Sequence, residues 1–122
     1  MRHRFPALIL VGLLVAAPAT ARISVGTFVA KANALRDNPL TALTSPDYPV
    51  LKSEAQAAAA QLRADRDQRR AQGKPPIACI PAGESPGIYD MLDGLNALSP
   101  AEKRLPLKDG YARVLARRYP CR

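Results

Sequence analysis

A chain of 122 residues with a net charge of +8, 48% apolar residues and no tryptophan has room for one modest core and no second domain. Abundant Ala and Leu, few aromatics and no long alternation of β-branched residues argue against a sheet and predict an all-α, single-domain bundle of about four to five helices. With one histidine and two cysteines, most metal and nucleophile chemistry is excluded before any motif is sought.

Arg2 and Arg4, the apolar run from Phe5 to Ala17 and the small-x-small triplet Ala19-Thr20-Ala21 predict a cleaved export signal over residues 1–21. That run falls short of the roughly 20 residues a membrane-crossing helix needs, so removal is expected rather than anchoring. The mature domain would span residues 22–122, begin at Arg22, carry no stable membrane anchor and reside in the periplasm or outside the cell. It would hold 16 basic and 10 acidic side chains, a net +6. In an oxidising compartment an even cysteine pair in a small domain usually forms a bridge, and Cys79 with Cys121 allows a single intramolecular pairing. The loop so closed, about 43 residues, stabilises by roughly 4 kcal/mol in a chain-entropy treatment. A free reactive thiol or an intermolecular bridge is the competing reading, although the mature chain offers no histidine to activate a thiol.

In chain order, Ser24 can cap a first helix whose apolar positions Val25, Phe28, Val29, Ala32 and Leu35 share one face. Pro39 predicts its end near Asn38, and core packing explains its stripe more simply than a partner groove does. Pro39, Pro46 and Pro49 break residues 39–49 into a connection with one short turn at Leu40 to Leu43. The longest helix is predicted from Asp47 or Tyr48 to about Gln72, where Gly73 supplies a left-handed stop. Leu51, Ala55, Ala58 and Leu62 form its narrow apolar stripe, with small residues that admit another helix closely.

Gly73-Lys74-Pro75-Pro76 reads as an extended connector delivering Ile77 to Pro81 as a strand-like or irregular segment, and Ala82-Gly83-Glu84 turns the chain. Ser85-Pro86 predicts the opening of a helix with Ile88, Met91, Leu92 and Leu95 on its apolar face. Gly94 inside it signals either close packing or a weak point. Ser99-Pro100-Ala101-Glu102 has the spacing of a capping box and predicts a short helix cut off by Pro106. The last helix starts at Leu107, with Tyr111, Val114 and Leu115 on one face and Lys108, Arg113, Arg117 and Arg118 mostly on the other, and Tyr119-Pro120-Cys121 stops it.

The second half of the long helix is basic. Arg63, Arg66 and Arg70 share a face, Arg69 lies beside them, and Asp65 is spaced for an i, i+4 pair with Arg69. Cations complement the dipole at a helix C-terminus, so a solvated face is the plain reading. The functional alternative is a partner-binding face of Arg63, Arg66, Arg69 and Arg70 for an acidic protein or an anionic envelope surface. Nucleic acid is not expected, because an exported protein rarely meets it.

Chemistry that could catalyse is sparse. His3 leaves with the export signal, which removes Ser-His and Cys-His pairs and histidine metal sites. Glu84, Asp90 and Asp93 are the remaining acid-base candidates, and surface acids on a helix are usually solvated. No catalytic residue, metal or cofactor is expected, and the chain reads as a binding protein rather than an enzyme.

Cys79-Ile80-Pro81-Ala82-Gly83, the helix ending Leu95-Asn96-Ala97-Leu98, the turn Ser99-Pro100-Ala101-Glu102 and the close on Tyr119-Pro120-Cys121 together resemble the Rap/Tai family over residues 77–121. Characterised members are small exported helical immunity proteins that neutralise type VI secretion peptidoglycan amidases in the periplasm. The resemblance implies a Cys79–Cys121 bridge, a helical bundle, dimerisation in many members and inhibition by occluding the cleft of a cell-wall amidase effector. Members commonly carry a further cysteine in the N-terminal half, where this chain has its Ala- and Arg-rich helix instead. No inhibitory residue carries over by position.

Overall fold

The computed structural model describes residues 22–122 together with Gly12, so the expected export signal over residues 1–21 lies, but for Gly12, outside the described residues. Ser24 adopts an extended conformation and its hydroxyl accepts the Thr27 N–H at 3.2 Å, which starts helix α1 (Val25–Asp37). Asn38 ends α1 ahead of Pro39, and Pro39 opens the single turn α2 (Pro39–Ala42), one residue earlier than expected. Helix α3 (Asp47–Ala71) carries Pro49 in its first turn. Its end closes on Gly73 at φ 68°, where the Lys74 N–H reaches the Arg69 carbonyl at 2.9 Å and the Gly73 N–H that of Arg70 at 3.1 Å. That double closure satisfies carbonyls a helix end otherwise leaves orphaned.

Helix α4 (Ile88–Asn96) departs from expectation at its start. Gly87 is the cap, with no side-chain bond, and Ser85 and Pro86 lie outside the helix. Ile88, expected on the apolar face, is 81% exposed, whereas Met91, Leu92 and Leu95 meet the core. The Ser-Pro signal is local and does not by itself set where the helix begins. The next device matches its spacing. The Ser99 N–H donates to Glu102 Oε1 at 3.2 Å and the Glu102 N–H to Ser99 Oγ at 3.1 Å, nucleating a short 3-10 turn (Glu102–Arg104) before helix α5 (Leu107–Arg118). Five helices and no strand make up the described residues, apart from an isolated antiparallel pairing of Ser24 with Pro106.

The core gathers Val25, Phe28 and Val29 of α1, Leu51 and Ala58 of α3, Leu92 and Leu95 of α4, Leu98, and Leu107 and Val114 of α5. Glycine sets the spacing at the tightest crossing. A methyl group on Gly94 would sit 2.5 Å from Val114 Cγ1, and one on Gly110 would collide with Val25 and come 3.2 Å from Leu95. Gly94 is therefore a close-packing residue. Beside this crossing the amides of Asn33 and Asn96 pair at 2.8 and 3.0 Å, satisfying two half-buried polar groups between α1 and α4.

Residues 77–81 are irregular rather than strand-like. Cys79 and Cys121 form a disulfide with Cα atoms 5.0 Å apart, and the Cys79 N–H donates to the Tyr119 carbonyl at 2.8 Å. The intramolecular pairing replaces the alternatives of a free thiol or an intermolecular bridge. A structural disulfide belongs to an oxidising compartment. Among the described residues no helix is long and apolar enough to cross a membrane.

Candidate functional site

Beyond Ala58 the apolar stripe of α3 runs out of partners, and every residue from Ala59 to Met91 is at least partly exposed. Between this half of α3, the connector to α4 and the adjacent face of α5 lies an open groove of about 870 Å³. Its apolar lining comes from Leu62 on α3, Tyr111 and Leu115 on α5, Met91 on α4, and Ile77 and Ile80 of the connector, the last two 41% and 42% exposed. Ser85 and Pro86 line it too, which is where the unused helix-opening pair ends up.

Charge around the groove is unbalanced. Arg63, Arg66, Arg69, Lys74 and Lys108 border it, against Asp65 and Asp109. Asp65 does not pair with Arg69 as its spacing suggested. Lys108 of α5 reaches it at 2.7 Å and ties the two helices together, while Arg69 donates to the Pro75 carbonyl at 3.2 Å and holds the connector against the end of α3. Arg66 contacts its neighbour Asp67 at 3.2 Å. Arg63 and Arg70 form no ion pair among the described residues. Of the four arginines expected to form one face, Arg63, Arg66 and Arg69 line the groove and Arg70 does not.

Tyr111 anchors the groove to the core. Its ring stands edge-on to Phe28 at 6.4 Å, and burial pushes its phenol up to about 12, so it stays a neutral hydrogen-bonding group throughout the physiological range. A half-exposed apolar floor with a cationic border and a neutral phenol can hold an acidic, partly apolar protein segment.

The acidic candidates lie elsewhere. Asp90 and Asp93 border a shallower cleft of about 510 Å³ between α4 and α5, which Glu84 does not line. Asp90 takes Arg118 of α5 at 3.2 Å and Asp93 takes Arg36 of α1 at 2.6 Å, each with its side chain about half exposed or more. The hydrogen bond that the Arg36 guanidinium donates to Asp93 holds it above its ordinary range, and the same group lies 5.0 Å from the Tyr89 ring centre. These carboxylates bridge helices. Among the described residues no group of three His, Cys, Asp or Glu side chains is placed to hold a metal.

Lys74, Lys108, Ile77, Ile80 and Met91 also line the groove, although the sequence marks them only as connector, core-facing or solvated helix positions and not as site residues. Lys108 reads as a solvated helix residue until the crossing of α3 and α5 brings it to Asp65, a long-range pairing with no local signature. The isoleucines flank Cys79, and that proximity was the one available hint. No protein-family model, curated protein or solved structure matches the chain.

Proposed function

We propose that the protein acts outside the cytoplasm, after export through a cleaved signal, as a non-catalytic inhibitor that docks an acidic protein surface into the groove between α3, the connector and α5. The carrying observation is the pairing of half-exposed Ile77 and Ile80 with a border of five cations and two acids, apolar area and positive charge that a partner could bury and complement. The disulfide supports the compartment, since such bridges persist where thiols are oxidised. The resemblance of residues 77–121 to the Rap/Tai family sharpens the partner to a type VI secretion peptidoglycan amidase, inhibited by covering its cleft.

The test is peptidoglycan hydrolysis by a type VI secretion amidase effector, measured with and without the purified protein. Stoichiometric inhibition that weakens with added salt and vanishes in the Arg63→Glu/Arg66→Glu double variant is the expected result, because exposed charges are screened within about 10 Å at 0.1 M salt. Hydrolysis that continues at full rate sinks the amidase reading. Salt-sensitive binding to another acidic envelope protein through the same arginines would then identify a general envelope binding protein.

A further inference from the structure

The four residues that follow Ala21 are each gripped by the rest of the fold. The Arg22 N–H donates to Glu54 Oε2 on α3 at 2.7 Å, and the Ile23 N–H lies 3.4 Å from the same oxygen. The Ile23 carbonyl accepts the Leu107 N–H at 3.0 Å, Ser24 pairs with Pro106, and the Val25 N–H donates to the Leu105 carbonyl at 2.9 Å. Glu54 has no Lys or Arg side chain as an ion-pair partner among the described residues. Its carboxylate faces two backbone nitrogens, and the nearer belongs to the residue directly after the small-x-small triplet.

We propose that Glu54 is the receptor for a new N-terminus: cleavage between Ala21 and Arg22 turns the Arg22 nitrogen into an ammonium that ion-pairs with the Glu54 carboxylate. This rests on the export part of the reading above. The leader-removing endopeptidase adds water across the Ala21–Arg22 bond; Ala21 departs with the leader as a carboxylate, and the freed Arg22 amine takes a proton from solvent. An amide N–H offers one uncharged donor, whereas an α-ammonium offers three donors and a full charge at neutral pH. The tie between the chain start and α3 thus reaches full strength only once the leader is gone, just ahead of the residues that pair with 105–107 and seat α1.

The experiment uses the full chain, exported and purified, beside a version with Gly-Ser inserted between Ala21 and Arg22, each with and without Glu54→Gln. N-terminal sequencing of the unaltered protein is expected to read Arg-Ile-Ser-Val-Gly. Glu54→Gln is expected to lower Tm by about 3 °C in the natural start and by less than half as much behind the insertion. It should also speed acylation of the natural α-amine by an amine-reactive ester several-fold. A different first residue overturns both the leader reading and the capture. The correct first residue with equal Tm losses in the two backgrounds, or with unchanged acylation, overturns the capture alone.

Discussion

The two ends of this bundle are held together by different physics. At one end Val25, Leu95 and Leu107 are fully shielded from solvent and glycines at 94 and 110 let three helices touch; at the other, no side chain between Ala59 and Met91 is buried. The second end is closed by a disulfide, one long-range backbone bond from Cys79 to Tyr119, the Asp65–Lys108 pair and the Arg69 bond to Pro75. Cross-links and surface ion pairs can fix a connector without consuming its apolar side chains. Ile77, Ile80 and Leu62 therefore stay partly exposed along the groove, which burial in the core would prevent.

The contrast can be broken from either side. Replacing both cysteines, Cys79→Ser with Cys121→Ser, is expected to cost about 4 kcal/mol in urea unfolding, because the open chain regains the entropy of the loop. Hydrogen exchange in that variant should rise most in residues 73–87 and least around Val25 and Leu107; a uniform rise would erase the distinction between the ends. Leu95→Ala at the packed end is expected to cost about 3 kcal/mol through the cavity it leaves. Gly110→Ala is expected to cost about 2 kcal/mol, overpacking against Val25 and Leu95 outweighing the better helix propensity of alanine.

Smaller effects sharpen the picture. The Ser99 backbone N–H, followed by the Arg117 guanidinium 2.7 Å away, holds Glu102 below the usual carboxylate range. A carboxyl that binds its proton less readily folded than unfolded stabilises the native state above its unfolded pKa, about 4.3, and loses that contribution as pH falls through the lower folded value. The stability difference between wild type and Glu102→Gln should accordingly be full near pH 6 and shrink on acidification towards pH 3, as read by Tm against pH. Smallest for the fold, Arg63→Glu with Arg66→Glu should change stability by under about 0.5 kcal/mol while abolishing partner binding. A large loss of stability there would mean that these arginines hold the bundle together.

Local chemistry was legible in the residues. Ser24, Gly73 and the Ser99–Glu102 box each act within four residues of themselves, and all three close as their spacing indicates. The lone cysteine pair had one intramolecular way to join, and it joins that way. The failures share a cause. Ser85-Pro86 opens no helix, Asp65 turns from Arg69 to Lys108, Ile88 faces solvent and Arg70 misses the groove, because each outcome depends on a neighbour more distant in sequence than any local rule reaches.

The amino-acid sequence by itself determined an all-helical chain with a fixed pair of sulfurs, since turn chemistry, apolar periodicity and cysteine count act at short range or without geometry. Only the tertiary structure decided which residues line the groove, which carboxylates become struts and that Glu54 meets the nitrogen of Arg22, because those depend on the angles and distances at which α1, α3 and α5 cross.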